Sequence, residues 1–179
     1  MAGTRVDRYA LSAVLEPRGR VITVPLKLLG YWHSSHTDAL PHPQSLVDPS
    51  WERLRRGQIV AYLKNGMRHR QYLGLSYCRF QCGQRGLGSA DLTDGTWVWP
   101  EGLSHYVDVH SVRLPDEFVQ HAAARDFEAL QGRVTFDLDH DISFWTDWCR
   151  RNTVFSFEPN CVACAARRRL TGDGADGVP

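Results

Sequence analysis

The chain reads as an α+β fold, an antiparallel sheet with several helices, and three observations predict it. Apolar, β-branched runs open the chain as a hairpin. Helix start and stop signals then alternate irregularly with short strands. The regular strand–helix–strand repeat of a doubly wound parallel sheet does not occur. With 179 residues, 42% of them hydrophobic and 23% charged, the chain can bury a full core. One domain is expected over residues 1–170. The closing TGDGADGVP, residues 171–179, has the composition of a disordered tail.

The elements follow in order. Tyr9 to Leu15 and Val21 to Leu29 flank Pro17-Arg18-Gly19 and predict a β-hairpin. Residues 33–50 form an irregular stretch in which His33, His36, Asp38 and His42 are potential ligands in a polar loop. Prolines at 41 and 43 exclude a regular helix through His42, because each removes a backbone donor and restricts the residue before it. Asp48-Pro49 predicts a helix start, with Trp51, Leu54, Ile59, Val60, Ala61 and Leu63 as its buried side and Asn65-Gly66 as its stop. A strand is expected from Gln71 to Phe80, then a glycine-rich stretch from Gln81 to Gly95 that ends in the turn signal Asp94-Gly95. Thr96 to Trp99 reads as a strand, Pro100 to Val109 as a helix, and Leu114-Pro115 as the start of another helix running to about Gln131. Val134 to Leu138 predicts a strand and Asp141 to Arg151 an aromatic helix. A last strand is expected over Val154 to Phe157, and a short helix over Cys161 to Leu170.

Composition narrows the function classes. Lys plus Arg (21) nearly balances Asp plus Glu (20), which argues against a nucleic-acid binder driven by phosphate electrostatics. Lys27 and Lys64 are the only lysines, and this arginine bias matches a GC-rich genome without invoking function. No apolar run approaches the ~18 residues that cross a bilayer, and Asp7, Arg8 and Glu16 break the pattern of a secretory signal. A cytoplasmic protein is therefore expected, its five cysteines reduced and available for metal, chemistry or core.

Residues 72–115 concentrate the chemistry. Cys78-x3-Cys82 and His105-x4-His110 supply two thiolates and two imidazoles, the mixed set that zinc takes in a closed structural site. Two features stretch the finger pattern: the 22 residues between Cys82 and His105 exceed the ~12 of a standard finger. Residues five apart on an ideal helix also point ~140° away from each other. Both histidines reach one metal only if the helix loosens or ends near His110. Cys161-x2-Cys164 is the alternative second pair, which with Cys78 and Cys82 would make a four-thiolate zinc site. Reduced cysteines and hydrogen-bonded histidines in an ordinary core would account for the same residues. Cys149, beside Trp145 and Trp148, reads as core.

Two functions from different classes remain open. In one, zinc is structural and pins 72–115 as a protein-interaction or regulatory module, with Trp97 or Trp99 as exposed anchors for another protein. In the other, a small metal- or Cys/His-dependent enzyme uses Glu101 and His105, four residues apart, as an acid–base pair, or Cys78 as a nucleophile. The His-rich loop 33–42 would then close over the site, with Asp91 and Asp94 as further carboxylates. The simpler role for Glu101 is to complement the positive end of a helix. The segment GLSYCRFQCG…DLTDGTWVWPEGLSHYVDVHSVRLP resembles a pattern in bacterial proteins that have no established activity. The resemblance covers about residues 72–120 together with Gly30-Tyr31-Trp32, and it implies no chemistry.

Overall fold

A computed structural model describes residues 13–15, 21–23, 25–33, 40–84, 86–128 and 139–153. Seven strands and four α-helices lie within these residues: β1 (Ala13–Leu15), β2 (Val21–Thr23), β3 (Leu26–Leu28), α1 (Arg53–Lys64), β4 (Met67–Gln71), β5 (Ala90–Thr93), β6 (Trp97–Pro100), α2 (Leu103–His110), α3 (Asp116–Ala123), β7 (His140–Asp141) and α4 (Ser143–Asn152). The class is α+β, as expected. The main sheet has the order β4-β5-β6-β3-β7 and is mixed: β4-β5-β6 are antiparallel, whereas β3 runs parallel to both β6 and β7. The opening hairpin is real but shorter than expected. β1 pairs only with β2, and the chain then leaves to put Leu26–Leu28 into the main sheet.

One face of the sheet and three helices make the core. Trp97 and Trp99 are two residues apart on β6 and so project on the same side. Both are fully buried, against Tyr62 of α1, Phe118 of α3 and Phe144 of α4, at ring separations of 5.0–6.0 Å. The Trp99 indole donates to the Leu63 carbonyl (3.1 Å), so its one polar atom is satisfied. Neither tryptophan is available as an exposed anchor. Lys27 covers the edge of this cluster, its ammonium 5.1 Å from the Trp97 ring and 2.6 Å from Glu117.

Asp94-Gly95 closes the β5–β6 hairpin, with Gly95 at φ 85° where a side chain would be strained. Asp94 is completely buried. One carboxylate oxygen accepts the N–H groups of Thr96 and Trp97 (2.9 and 2.8 Å). The other accepts the Tyr62 hydroxyl (2.6 Å) and lies 2.9 Å from His121 Nε2. Burial alone would raise this carboxyl, but the bonds from His121, the Trp97 N–H and Tyr62 outweigh it and hold the group below its ordinary value. Asp94 is thus a hub joining hairpin, α1 and α3, and not a spare catalytic carboxylate.

Several boundaries differ from the sequence expectation for identifiable reasons. Asp48 accepts the N–H and hydroxyl of Ser50 (3.0 and 2.5 Å) and so caps a separate turn; α1 begins only at Arg53. Its buried residues are Ile59, Val60, Tyr62 and Leu63, while Leu54 and Ala61 face solvent and Trp51 is half-buried. β4 lies over 67–71 and not 71–80, because beyond Gln71 only Tyr72, Ser76 and Leu87 make scattered ladder-like bonds. α3 stops at Ala123, well before Gln131: Asp126 and Phe127 take left-handed φ values of 51° and 57°, and the Phe127 N–H folds back to the Ala122 carbonyl. α4 falls where expected. The strands expected at 134–138 and 154–157, the helix at 161–170 and the tail at 171–179 lie outside the described residues.

Candidate metal centre

The four central candidates come together. The ligand atoms of Cys78, Cys82, His105 and His110 all lie within 4.8 Å of one another, the one such His/Cys/Asp/Glu group among the described residues. His105 Nε2 is 3.3 Å from Cys78 Sγ, 3.4 Å from Cys82 Sγ and 3.2 Å from His110 Nε2, and His110 Nε2 is 3.2 Å from Cys78 Sγ. A tetrahedron with zinc–sulfur bonds of ~2.3 Å and zinc–nitrogen bonds of ~2.05 Å has edges of about 3.3 Å between nitrogens and about 3.6 Å between sulfur and nitrogen. Four of the six edges, at 3.2–3.4 Å, lie near these values, and all four ligand atoms are within 4.8 Å of one another, a donor set that could hold a metal ion.

The end of α2 solves the problem of two histidines five residues apart. The carbonyl of Tyr106 accepts N–H groups from both Ser111 and Val112, five and six residues on. Such a wide, π-like last turn winds more slowly than an α-turn and brings His105 and His110 towards one face. Ser111 is left-handed (φ 54°), which ends the helix directly after His110, and the Arg56 guanidinium on α1 donates to its hydroxyl.

The cysteine pair sits on a tight turn. The Gln81 N–H bonds to the Cys78 carbonyl (3.1 Å), with Gln81 at φ 53° and Gly83 at φ 83°. Tyr106, on α2 between the two histidines, reaches across: its hydroxyl accepts the Arg79 N–H (3.0 Å) and donates to the Tyr77 carbonyl (3.3 Å). The element that carries the imidazoles therefore also holds the backbone that carries the thiols. Phe80 stacks flat on His110, centroids 4.0 Å apart and planes 9° apart, and fixes that ring.

Electrostatics match a ligand set. Burial lowers the His105 imidazole, and burial with the neighbouring His105 lowers His110, so both favour the neutral form that binds metal. Burial raises the Cys78 thiol, while the N–H groups of Phe80 and Cys82 directed at its sulfur act the other way. A cation held there would supply the opposite charge that a thiolate needs.

The remaining candidates go elsewhere. Glu101 lies in the turn before α2. One of its carboxylate oxygens accepts the Ser89 N–H (3.0 Å) and the other is 3.6 Å from Arg68. Its carboxylate is thus bonded into the 88–89 loop. Asp91 is buried and accepts the Tyr72 hydroxyl (2.6 Å). Cys149 is core, and burial raises its thiol. His42 caps the short 3-10 turn Pro43–Leu46 through Nδ1 (3.2 Å from the Gln44 N–H), and burial, with His33 and Arg79 nearby, lowers it to about 4. His33 and His42 face each other, and His42 approaches Phe80 (centroids 6.3 Å), so these two histidines lie near the site without belonging to its ligand group. His36, Asp38, Cys161 and Cys164 lie outside the described residues. Sequence reading missed Tyr106 and Phe80, the two aromatic supports; only their positions beside His105 and Cys78 pointed to them.

No known family model, curated protein or solved structure matches the chain. Among the described residues no helix is long and apolar enough to cross a membrane.

Proposed function

We propose that the protein is a zinc-binding interaction module whose metal is structural, held by Cys78, Cys82, His105 and His110. The observation that carries this reading is a set of four donors whose ligand atoms all lie within 4.8 Å of one another, four of the six edges being 3.2–3.4 Å. Four protein ligands fill a tetrahedral zinc and leave no position for water or substrate. Two thiolates with two imidazoles favour zinc over hard cations such as magnesium or calcium, which take oxygen ligands. The ion would tie the 78–82 turn to the end of α2, joining segments more than 20 residues apart. A reducing compartment such as the cytoplasm belongs to the same reading, since the site needs free thiols; Cys78, Cys82 and Cys149 are all free.

The interaction role is supported by the segment that leads into the site. Tyr72, Leu75 and Tyr77 are 49–62% exposed and Leu73 is fully exposed, within six consecutive residues. Grouped apolar exposure of this kind marks contact surfaces. The Tyr72 and Ser76 N–H groups bond to the Ser89 and Gly88 carbonyls (2.7 and 2.9 Å), and Cys78 anchors the far end. The apolar side chains are therefore presented on a backbone that is already ordered, which lowers the entropy lost on binding.

X-ray absorption on the zinc-loaded protein tests the structural role. Two sulfur and two nitrogen neighbours are expected. Three protein ligands plus an oxygen would instead indicate an open, catalytic site.

A further inference from the structure

The four donors of the proposed zinc site are not equally sheltered. Cys78 is buried and Cys82 is exposed, with His105 and His110 between these extremes. The aromatic supports fall on the other ligands: Phe80 stacks on His110, and Tyr106 holds the backbone at Tyr77 and Arg79. Around Cys82 the chain is open, since Gln81, Gly83 and Gln84 are exposed as well. Cys82 is therefore the sulfur that a small oxidant in water meets first. Susceptibility of a cysteine to oxidation follows such access, and sensor cysteines are commonly paired with a second, resolving cysteine.

Cys78 is placed to be that second cysteine. The two sulfurs lie within 4.8 Å of each other, across a turn closed by the Gln81 N–H on the Cys78 carbonyl (3.1 Å). A disulfide requires them to approach to ~2.05 Å. The residues that would move, Gln81 to Gly83, are exposed, so closing the gap disturbs little packing. Both imidazoles come from a different element, α2. A bond between the two sulfurs would thus remove half of the donor set in one event and leave the other half in place.

We propose that Cys78 and Cys82 form a peroxide-sensitive switch that releases zinc from this site. The proposal rests on the zinc reading above and adds its regulation. The Cys82 thiolate attacks peroxide: a sulfur–oxygen bond forms, the oxygen–oxygen bond breaks and hydroxide leaves, giving a sulfenic acid. The Cys78 thiolate attacks the Cys82 sulfur: the disulfide forms, the sulfur–oxygen bond breaks and a second hydroxide leaves. Two thiolates and one peroxide become one disulfide and two hydroxides, and zinc departs as the unchanged dication. The apolar 72–77 segment then loses the metal link at its Cys78 end. Excess small thiol reverses the step by exchange through a mixed disulfide. Cys149 supplies the internal contrast: it is buried in the core, and burial raises its thiol, so it should stay reduced.

The test uses the full chain carrying Cys161→Ser and Cys164→Ser, in which Cys78, Cys82 and Cys149 are the remaining cysteines. Zinc per chain is measured first. Hydrogen peroxide is then added stepwise, zinc release is followed with a chromogenic chelator, and thiols are mapped by peptide mass spectrometry. One zinc should be released per disulfide, the disulfide should join Cys78 to Cys82, and Cys149 should remain free. Dithiothreitol with added zinc should restore the loaded protein. Cys82→His keeps four donors but cannot form the disulfide, and its zinc should leave at least tenfold more slowly. The peptide map of the first protein decides independently of whether that variant binds zinc. Zinc near zero before oxidation would overturn the zinc reading and the switch with it. A loaded protein would overturn the switch alone if it kept its zinc in tenfold excess peroxide, lost zinc with both thiols still reduced, or gave mainly irreversible sulfinic acid at Cys82.

Discussion

Two regions of this chain solve the problem of buried polar groups in opposite ways. Around Asp94, every charge-bearing atom is answered from within: two backbone N–H groups, a tyrosine hydroxyl and a histidine converge on one carboxylate, and the tryptophans of β6 pack over it. Around Cys78, two thiols and two imidazoles meet chiefly one another, at 3.2–3.4 Å. Two neutral imidazole nitrogens face each other at 3.2 Å, and two sulfurs share the same space. The first region is complete as a folded polypeptide. The second is a donor set that could hold a metal ion, and on the proposed reading a cation completes it. Its surroundings agree, because the 79–84 stretch is mostly exposed and buries little apolar surface of its own.

Perturbations should therefore separate the two regions. The largest effect is expected from Trp99→Ala, which empties a fully buried aromatic site and should cost about 3–5 kcal/mol. Denaturant unfolding would measure it, and a loss below ~1 kcal/mol would mean that the aromatic cluster is not the core. Asp94→Ala should follow at about 3 kcal/mol, because it strands the Tyr62 hydroxyl and two N–H groups in the interior. Zinc content per folded chain should be unchanged in this variant; loss of metal would mean that the two regions are one cooperative unit.

Acid should undo the two regions in sequence. His105 and His110 are held below their ordinary value of 6.5. The unfolded chain thus takes up protons first as pH falls through about 6.5. Their contribution is full above that pH and is lost as pH drops through their lower folded-state values; protons also compete with zinc for the thiolates. Asp94 is held below 3.8, so its contribution survives to lower pH and fades only beneath that value. Metal release on acidification should precede loss of the near-ultraviolet signal of the buried tryptophans. Simultaneous loss would erase the distinction. The smallest effect is expected from Leu73→Ser with Leu75→Ser: stability within about 0.5 kcal/mol of the parent, with shorter retention on a hydrophobic-interaction column.

How much of this was legible in the sequence depends on the range of each signal. Asp94-Gly95, Asn65-Gly66 and Trp99-Pro100-Glu101 act within a few residues, and the hairpin, the helix stop and the approach to α2 fall where they predict. The Cys78/Cys82 and His105/His110 pairs were readable as a donor set because their residue types carry the chemistry themselves. Asp48 misled, because an Asx turn and a helix cap use the same carboxylate bond, and only the chain beyond Ser50 decides between them. The parallel pairing of β3 with β6 and β7 joins residues some 70 and 114 positions apart (Lys27 with Trp97 and with Asp141) and has no local mark. The tryptophans of β6 looked like anchors for a partner. Whether such rings turn inwards depends on Tyr62 and Phe118, which other elements bring to them.

The central claim is that the second region is completed by zinc, and metal content tests it most directly. Untagged protein, purified without chelator or added metal, is assayed by elemental analysis together with the Cys161→Ser/Cys164→Ser variant. The account predicts close to one zinc per chain in both, because a structural site of this kind is nearly filled as isolated. Less than about 0.2 zinc per chain in the parent protein would contradict it; loss confined to the Cys161/Cys164 variant would move the site to a four-thiolate set.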